Sequence, residues 1–210
     1  MKFVVDSPQT RQRAASLIRG GGVVAFLTDT FYGLGADPFN RSALRKLNEL
    51  KGRDGGKPIL IVLSDVAEAE RFIKERSELF EEVSRRHWPG ALTLVVKARD
   101  LVPEEITAGS ATVGLRLPDD NSVRDFIRIC GGALTATSAN TAGAAPARTA
   151  AEVASYFPEE LDLIVDSGAS SGDKPSTVLD VSGATARMIR EGAVSREELQ
   201  KTLRALQVDF

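Results

Sequence analysis

At 210 residues, with 42% hydrophobic and 27% charged residues, the chain has a globular composition and the length to bury a substantial core. Its 27 basic and 29 acidic residues leave a formal net charge of −2, which excludes nucleic-acid wrapping by bulk charge. One histidine and one cysteine exclude an internal disulfide and a structural zinc site, and no apolar run approaches the roughly 20 residues of a membrane span.

The N-terminus carries a charge at Lys2 and a turn after Asp6, too early for a signal peptide, so a soluble cytoplasmic protein is expected. Ser7-Pro8 is an N-cap followed by proline at the first helical position, and Ala14, Leu17 and Ile18 form an apolar stripe ending at Gly20-Gly21-Gly22. Residues 23–27 read as a buried strand that opens into polar Thr28-Asp29-Thr30. Asn40 caps a second helix, with Ala43, Leu44, Leu47 and Leu50 at helical spacing, which exits at Lys51-Gly52-Arg53.

Residues 59–63 and 91–96 read as strands, with helices at 65–73 and 78–83 between them. Further strands are expected at 112–117 and 133–137, separated by a helix over 121–130 that Gly131-Gly132 closes. Thr149 caps a short helix and 163–165 is a strand, followed by a Gly/Ser/Pro-rich stretch over 167–176 that is either a mobile lid or a plain connection. A strand pair at 177–181 and 187–190 precedes a terminal helix with Ser195 and Glu198 as a capping box, and 207–210 is expected to fray. Alternation with a late hairpin predicts one α/β domain over 1–210 with a mixed sheet.

Several groups of residues carry chemistry. Residues 28–35 pack hydroxyls, a carboxylate and two glycines after a buried strand, which suits either a small polar ligand or a tight turn satisfying its own backbone. Lys51, Arg53 and Lys57 form a cationic cluster, with Pro58 holding the chain extended after it; Thr137-Ser138-Ala139-Asn140 follows another apolar strand with neutral donors. Together they read as two halves of a phosphate-handling pocket; apart, the first is a solvated loop and the second a turn or cap. Arg116 lies inside a strand pattern, so it is either exposed or paired with an anion, and Arg190 ends another strand in the same manner. His87, at a helix end, and Cys130, on an apolar stripe, read as structural, which disfavours hydrolysis through a histidine base.

Thr28-Asp29-Thr30-x-Tyr32-Gly33-Leu34-Gly35, Lys51-x-Arg53, Trp88-Pro89-Gly90-x-Leu92-Thr93, Val113-x-Leu115-Arg116, Ser138-Ala139-Asn140, Pro175-Ser176-Thr177 and Arg190-x-Gly192 occur in this order. In these motifs the chain resembles the YrdC-like threonylcarbamoyl-AMP synthases over nearly its whole length. The resemblance implies a twisted mixed α/β sheet with flanking helices and a deep, positively charged cavity. It also implies an enzyme joining L-threonine, bicarbonate and ATP, with Mg2+, into threonylcarbamoyl-adenylate and pyrophosphate for t6A modification of tRNA.

By the same resemblance, Lys51, Arg53, Ser138 and Asn140 form a catalytic tetrad handling the nucleotide. Lys57, Thr112 and Arg190 join it on ATP, while Thr28, Thr30, Tyr32, Arg116 and Ser176 face threonine. A threonylcarbamoyl transferase complex is the implied recipient of the product. The chain departs from the pattern at Leu27 and at Asp54-Gly55-Gly56, where the family carries proline, which is expected to alter loop stiffness more than chemistry. It also matches the short, single-domain branch, so closure of the cavity falls to residues 167–174 or to a partner. The competing readings are a tRNA- or double-stranded-RNA-binding module of the same fold, and a paralogue with another carbamoyl or nucleotide reaction.

Overall fold

The computed structural model describes residues 3–52 and 57–208, so Arg53, the departure at 54–56 and the last two residues of the expected frayed tail lie outside the described residues. Strands β1 (Phe3–Val5), β2 (Val24–Leu27), β3 (Tyr32–Gly35), β8 (Thr137–Ser138) and β9 (Leu163–Asp166) form one sheet in the order β1-β9-β2-β3-β8. Strands β4 (Ile61–Leu63), β5 (Leu92–Lys97), β6 (Thr112–Arg116), β7 (Ala133–Thr135), β10 (Thr177–Asp180) and β11 (Arg187–Arg190) form a second, in the order β11-β10-β5-β6-β4-β7. Both sheets are mixed, as the alternation predicts. β2 runs parallel to β9 and antiparallel to β3; β10 runs parallel to β5 and antiparallel to β11.

The expected strand at 133–137 is divided between the two sheets. β7 pairs with β4 and β8 with β3, and the chain crosses at Ala136. Thr135 ties the crossing to β3 by adding side-chain bonds to a backbone one: its amide donates to the Ala36 carbonyl (3.1 Å), and its hydroxyl donates to the Leu34 carbonyl (3.1 Å) and accepts from the Ala36 amide (2.8 Å). Since Thr135 is fully buried, these bonds satisfy backbone groups that water cannot reach.

Helix α1 (Pro8–Arg19) starts at Ser7, whose hydroxyl accepts from the Thr10 amide at 3.1 Å, and buries Ala14, Ala15 and Ile18. In α2 (Arg41–Leu50) the Asn40 side chain caps the Ala43 amide at 3.1 Å, Ala43, Leu44 and Leu47 face the core, and Lys51 forms the C-cap. The stretch expected as a helix over 65–73 is a 3-10 helix at Val66–Arg71. It is followed by α3 (Glu78–His87), the short α4 (Glu104–Thr107), α5 (Asn121–Ile129), α6 (Ala150–Tyr156) and α7 (Arg196–Ala205). Ser195 caps the Glu198 amide at 3.2 Å.

One cluster of buried apolar side chains draws on both sheets, including Leu34, Ile61, Leu94 and Ile164, and covers the inner faces of α2 and α3. A smaller cluster joins α1 and α5, where the Phe26 and Phe126 rings stack at 5.1 Å. Cys130 belongs to this second cluster, and burial pushes its thiol pKa up to about 12, so it packs as an apolar residue. Among the described residues, no helix is long and apolar enough to cross a membrane.

Candidate active site

Strand ends from both sheets converge on a cavity of about 330 Å³. Thr28 and Thr30 after β2, Tyr32 and Gly33 in β3, and Thr137 and Ser138 in β8 form one wall. Arg116 at the end of β6, Ser176 before β10 and Arg190 at the end of β11 form the other, with Phe31, Pro58, Leu60, Pro146 and Pro175 as apolar lining. A few convergent polar groups on an apolar surface, at the meeting of two sheets, are the usual anatomy of a small-molecule site.

The residues of the Thr28-Asp29-Thr30 turn do both things open to them. The Thr28 hydroxyl donates to the Phe31 carbonyl (2.7 Å) and accepts from the Thr30 and Phe31 amides (3.2 and 3.3 Å), so it holds its own turn while lining the cavity. Asp29, quoted in the motif but given no role from sequence, is the partner that a buried strand arginine needs: its Oδ1 lies 2.9 Å from Arg116 Nη1. Arg116 is 2% exposed and reaches Thr30 Oγ1 at 3.3 Å and Thr28 Oγ1 at 3.5 Å.

Burial pulls the Arg116 guanidinium below its ordinary pKa, Asp29 opposes that shift, and the Arg190 charge adds to it. Burial likewise pushes the Asp29 carboxyl up, against the pull of Arg116. Arg190 sits at the rim and donates to the Ser176 carbonyl at 2.9 Å; partial withdrawal from water lowers its pKa too. Two guanidiniums, of which Arg190 disfavours the charge on Arg116, with one carboxylate beside Arg116, make the cavity receptive to an anion.

Ser138 is half-buried on the cavity wall, and its hydroxyl donates to Asn140 Oδ1 at 2.6 Å. Asn140 stands behind it, 8% exposed, and its Nδ2 donates to the Ala144 carbonyl. Lys51, 3% exposed, sends its ammonium to the Ser138 carbonyl (2.6 Å), to Asn140 Oδ1 (2.8 Å) and to the Asn140 carbonyl. Of the cationic cluster read from sequence, Lys51 thus meets the second cluster in space, while Arg53 lies outside the described residues.

Not every expected site residue reaches the cavity. Lys57 is exposed and outside the lining, although Pro58 beside it belongs to the lining. Thr112 opens β6, at the opposite end of that strand from Arg116, and shares a hydrogen bond with Ser110 at 2.9 Å; a direct contact with a ligand in this cavity does not fit that position. Tyr32 lines the cavity, yet its hydroxyl donates to the Gly168 carbonyl at 2.8 Å, and burial pushes its pKa up to about 12, so it serves as a neutral donor.

The stretch over 167–176 is a strap tied across the Thr28-Thr30 turn. The Ser170 hydroxyl donates to the Thr30 carbonyl, the Ser170 amide to the Arg148 carbonyl (2.8 Å), and Arg148 to the Gly172 carbonyl and Asp173 Oδ1 (both 3.0 Å). Sequence reasoning marked the glycine-rich stretch but had no signal for its landing place. His87 lies outside the cavity lining, joining α3 to α7 through Thr202 Oγ1 at 2.9 Å.

The Sua5/YciO/YrdC family model, described as "Telomere recombination", matches residues 16–192. The chain is 34% identical over 195 residues to the threonylcarbamoyl-AMP synthase of Pyrococcus abyssi (strain GE5 / Orsay), which covers 93% of this chain and 57% of that protein. It is 39% identical over 173 residues to the threonylcarbamoyl-AMP synthase of Thiobacillus denitrificans (strain ATCC 25259 / T1), covering 82% of this chain and 90% of that one. The crystal structure of P. abyssi Sua5 complexed with L-threonine superposes with a TM-score of 0.91 at 33% identity, over 96% of this chain and 60% of that chain. The chain therefore spans less than two thirds of the length of its Pyrococcus relative.

Proposed function

The chain belongs to the Sua5/YciO/YrdC family, and from that premise we propose that it is an L-threonylcarbamoyladenylate synthase acting in tRNA t6A modification. The observation that carries this reading is the pair Arg116 and Arg190 facing one cavity that also holds the Thr28, Thr30, Ser138 and Ser176 hydroxyls. The threonine amine takes up the carbon of bicarbonate, with loss of water, to give a carbamate. A carbamate oxygen then attacks the α-phosphorus of ATP, the bond to the β-phosphoryl oxygen breaks, and pyrophosphate leaves.

Such a transfer asks the protein for no nucleophile of its own. It asks for cations and donors that hold two mutually repelling anions in line and stabilise charge as it develops. Arg116, paired on one side with Asp29 and flanked by Thr28 and Thr30, is suited to the threonine carboxylate, which a guanidinium can meet with two parallel donors. Arg190 and Ser138 are suited to phosphate oxygens. Mg2+ belongs to the same reading, arriving with the ATP phosphates, whose oxygens it prefers as ligands. Cytoplasmic location and transfer of the adenylate to a threonylcarbamoyl transferase complex belong to the same reading. A module that only held tRNA or double-stranded RNA would turn its cations outward, whereas Arg116 is 2% exposed.

Pyrophosphate release by the purified protein with ATP and Mg2+, measured with and without L-threonine and bicarbonate, tests the proposal. Release that requires both co-substrates, and that in Arg116→Ala demands far more threonine, is the expected result. Release independent of threonine, or ATP binding without release, points to a paralogue with another nucleotide reaction.

A further inference from the structure

We propose that Thr93 is a positioning residue: its buried hydroxyl donates to Ser176 Oγ and so turns the Ser176 proton into the cavity, as a donor to an acceptor oxygen of the ligand. The effect on turnover rests on the synthase reading; the direction of the hydrogen bond does not. Thr93 lies in β5, 3% exposed and absent from the cavity lining, and its Oγ1 stands 3.0 Å from Ser176 Oγ. Geometry lets either hydroxyl donate, but the surroundings of the two are unequal. Among the described residues Thr93 Oγ1 has no other hydrogen-bond partner, so its proton is satisfied only by Ser176 Oγ. The reverse order would orphan a hydroxyl proton in the interior, at the full cost of its desolvation. Ser176 lines the cavity and has somewhere else to send its own proton. With Thr93 on one lone pair and Arg190 Nη2 3.4 Å from the same oxygen, Ser176 is filled as an acceptor and open as a donor.

The fold leaves Ser176 one freedom, and Thr93 is placed to set it. The Pro175 carbonyl accepts from the Ala193 amide at 2.9 Å, the Ser176 carbonyl from Arg190 at 2.9 Å, and the Thr177 amide donates to the Ala91 carbonyl at 3.0 Å, so the backbone around the serine is tied. What remains is rotation about χ1 among its staggered wells. β10 runs parallel to β5 with Val178 opposite Thr93, and Ser176, two residues earlier, shares that face. Thr93 is itself held. Its β-branch is stiff, and its methyl stands over Gly114 of β6, where an added Cβ would come 3.3 Å from Thr93 Cγ2. With the methyl seated there, the hydroxyl is directed at Ser176. Valine at this position keeps the shape and loses the donor, whereas serine keeps the donor and loses the methyl.

The experiment is steady-state kinetics of threonine-dependent pyrophosphate release in Thr93→Val, Thr93→Ser, Ser176→Ala and the double variant Thr93→Val/Ser176→Ala. Thr93→Val is expected to raise the threonine KM about tenfold, the scale of one hydrogen bond to a charged group, with the ATP KM unchanged. Thr93→Ser is expected to stay near the wild type. Ser176→Ala removes the group through which Thr93 acts, so adding Thr93→Val to it is expected to cost nothing more. Additive losses in the double variant, an equal rise in both KM values, or a Thr93→Val enzyme indistinguishable from wild type would overturn the proposal and leave Thr93 a packing residue of β5. Should Thr93→Val fail to fold, Thr93→Ala is carried through the same assays with the same expectations. A crystal structure of the unliganded valine or alanine variant separates this proposal from the synthase reading. If the wild type shows no threonine-dependent release, that reading fails; a Ser176 Oγ turned away from position 93 then keeps the present proposal, and one that has not moved overturns it.

Discussion

Arg116 Nη1 lies 2.9 Å from Asp29 Oδ1, yet the two are not aligned for a hydrogen bond, and both Asp29 Oδ1 and Arg116 Nε lack a hydrogen-bond partner among the described residues. A bidentate fork would have locked the guanidinium to the carboxylate. The misaligned contact neutralises much of the buried charge and leaves guanidinium donors for something else in the cavity.

Arg116→Ala is therefore expected to raise the threonine requirement on the order of 10²-fold, the scale of unpairing a buried charge-assisted contact, and to change the ATP requirement far less. Arg116→Lys should recover only part of the loss, since a point charge replaces a planar fork. Steady-state KM values for both substrates decide the matter. Equal effects on both would assign Arg116 to the wrong ligand.

Asp29 matters first to stability. Asp29→Ala strands Arg116 without its counter-charge in a nearly dry site, where breaking a buried pair costs about 3–5 kcal/mol. The double variant Asp29→Ala/Arg116→Met, which removes both charges, is expected to recover most of that loss in denaturant unfolding while remaining inactive. A double variant no more stable than Asp29→Ala would show that the turn, rather than the charge, was what Asp29 supported.

The convergence of Lys51 with Ser138 and Asn140 was legible from sequence because each cluster follows a regular element whose end is marked, by the C-cap of α2 in one case and the close of an apolar strand in the other. The pairing of Arg116 was legible only as a need for some anion. Two strands escaped the reading for different reasons. β3 carries Gly33 and Gly35 and reads as a turn, yet the glycine at 35 is what lets the strand lie against Phe26, since an added Cβ would come 2.8 Å from that ring. β1 has three residues, too few for a period, and becomes a strand only by pairing with β9. The split at Ala136 is a tertiary event: the run over 133–137 reads Ala-Leu-Thr-Ala-Thr with no glycine or proline to mark a break, and only Thr135 bonding to Leu34 and Ala36 shows where it changes sheet.

His87 supplies a pH dependence separate from catalysis. Burial holds its pKa below the ordinary 6.5 despite Glu198 Oε1 at 3.7 Å, so between the lowered native value and about 6.5 the unfolded chain binds a proton that the native protein does not. Stability then rises with pH through that window, is complete above it, and falls as pH drops below about 6.5. Denaturant midpoints across this range should slope upward with pH in the wild type and flatten in His87→Gln. A slope unchanged by the substitution would place the titrating group elsewhere.

Gly172 fixes how closely the strap lies on the turn that lines the cavity. A Cβ at this position would stand 2.6 Å from the Thr30 carbonyl oxygen and 2.9 Å from Thr30 Cα, and backbone atoms cannot rotate aside as a side chain can. One partner must move. Thr30 is buried in the turn after β2, while the strap is exposed at Ser171, Asp173 and Lys174, so the strap yields. In Gly172→Ala the bonds from Arg148 to the Gly172 carbonyl and from Ser170 to the Thr30 carbonyl are lost together, a cost of about 1–3 kcal/mol confined to this segment. Faster amide exchange and new protease cleavage within 168–174, with the rest of the chain protected, is the expected outcome. Loss of protection throughout would mean that the contact holds the two sheets together, and unchanged protection would mean that the strap is held by Tyr32 and Arg148 without it.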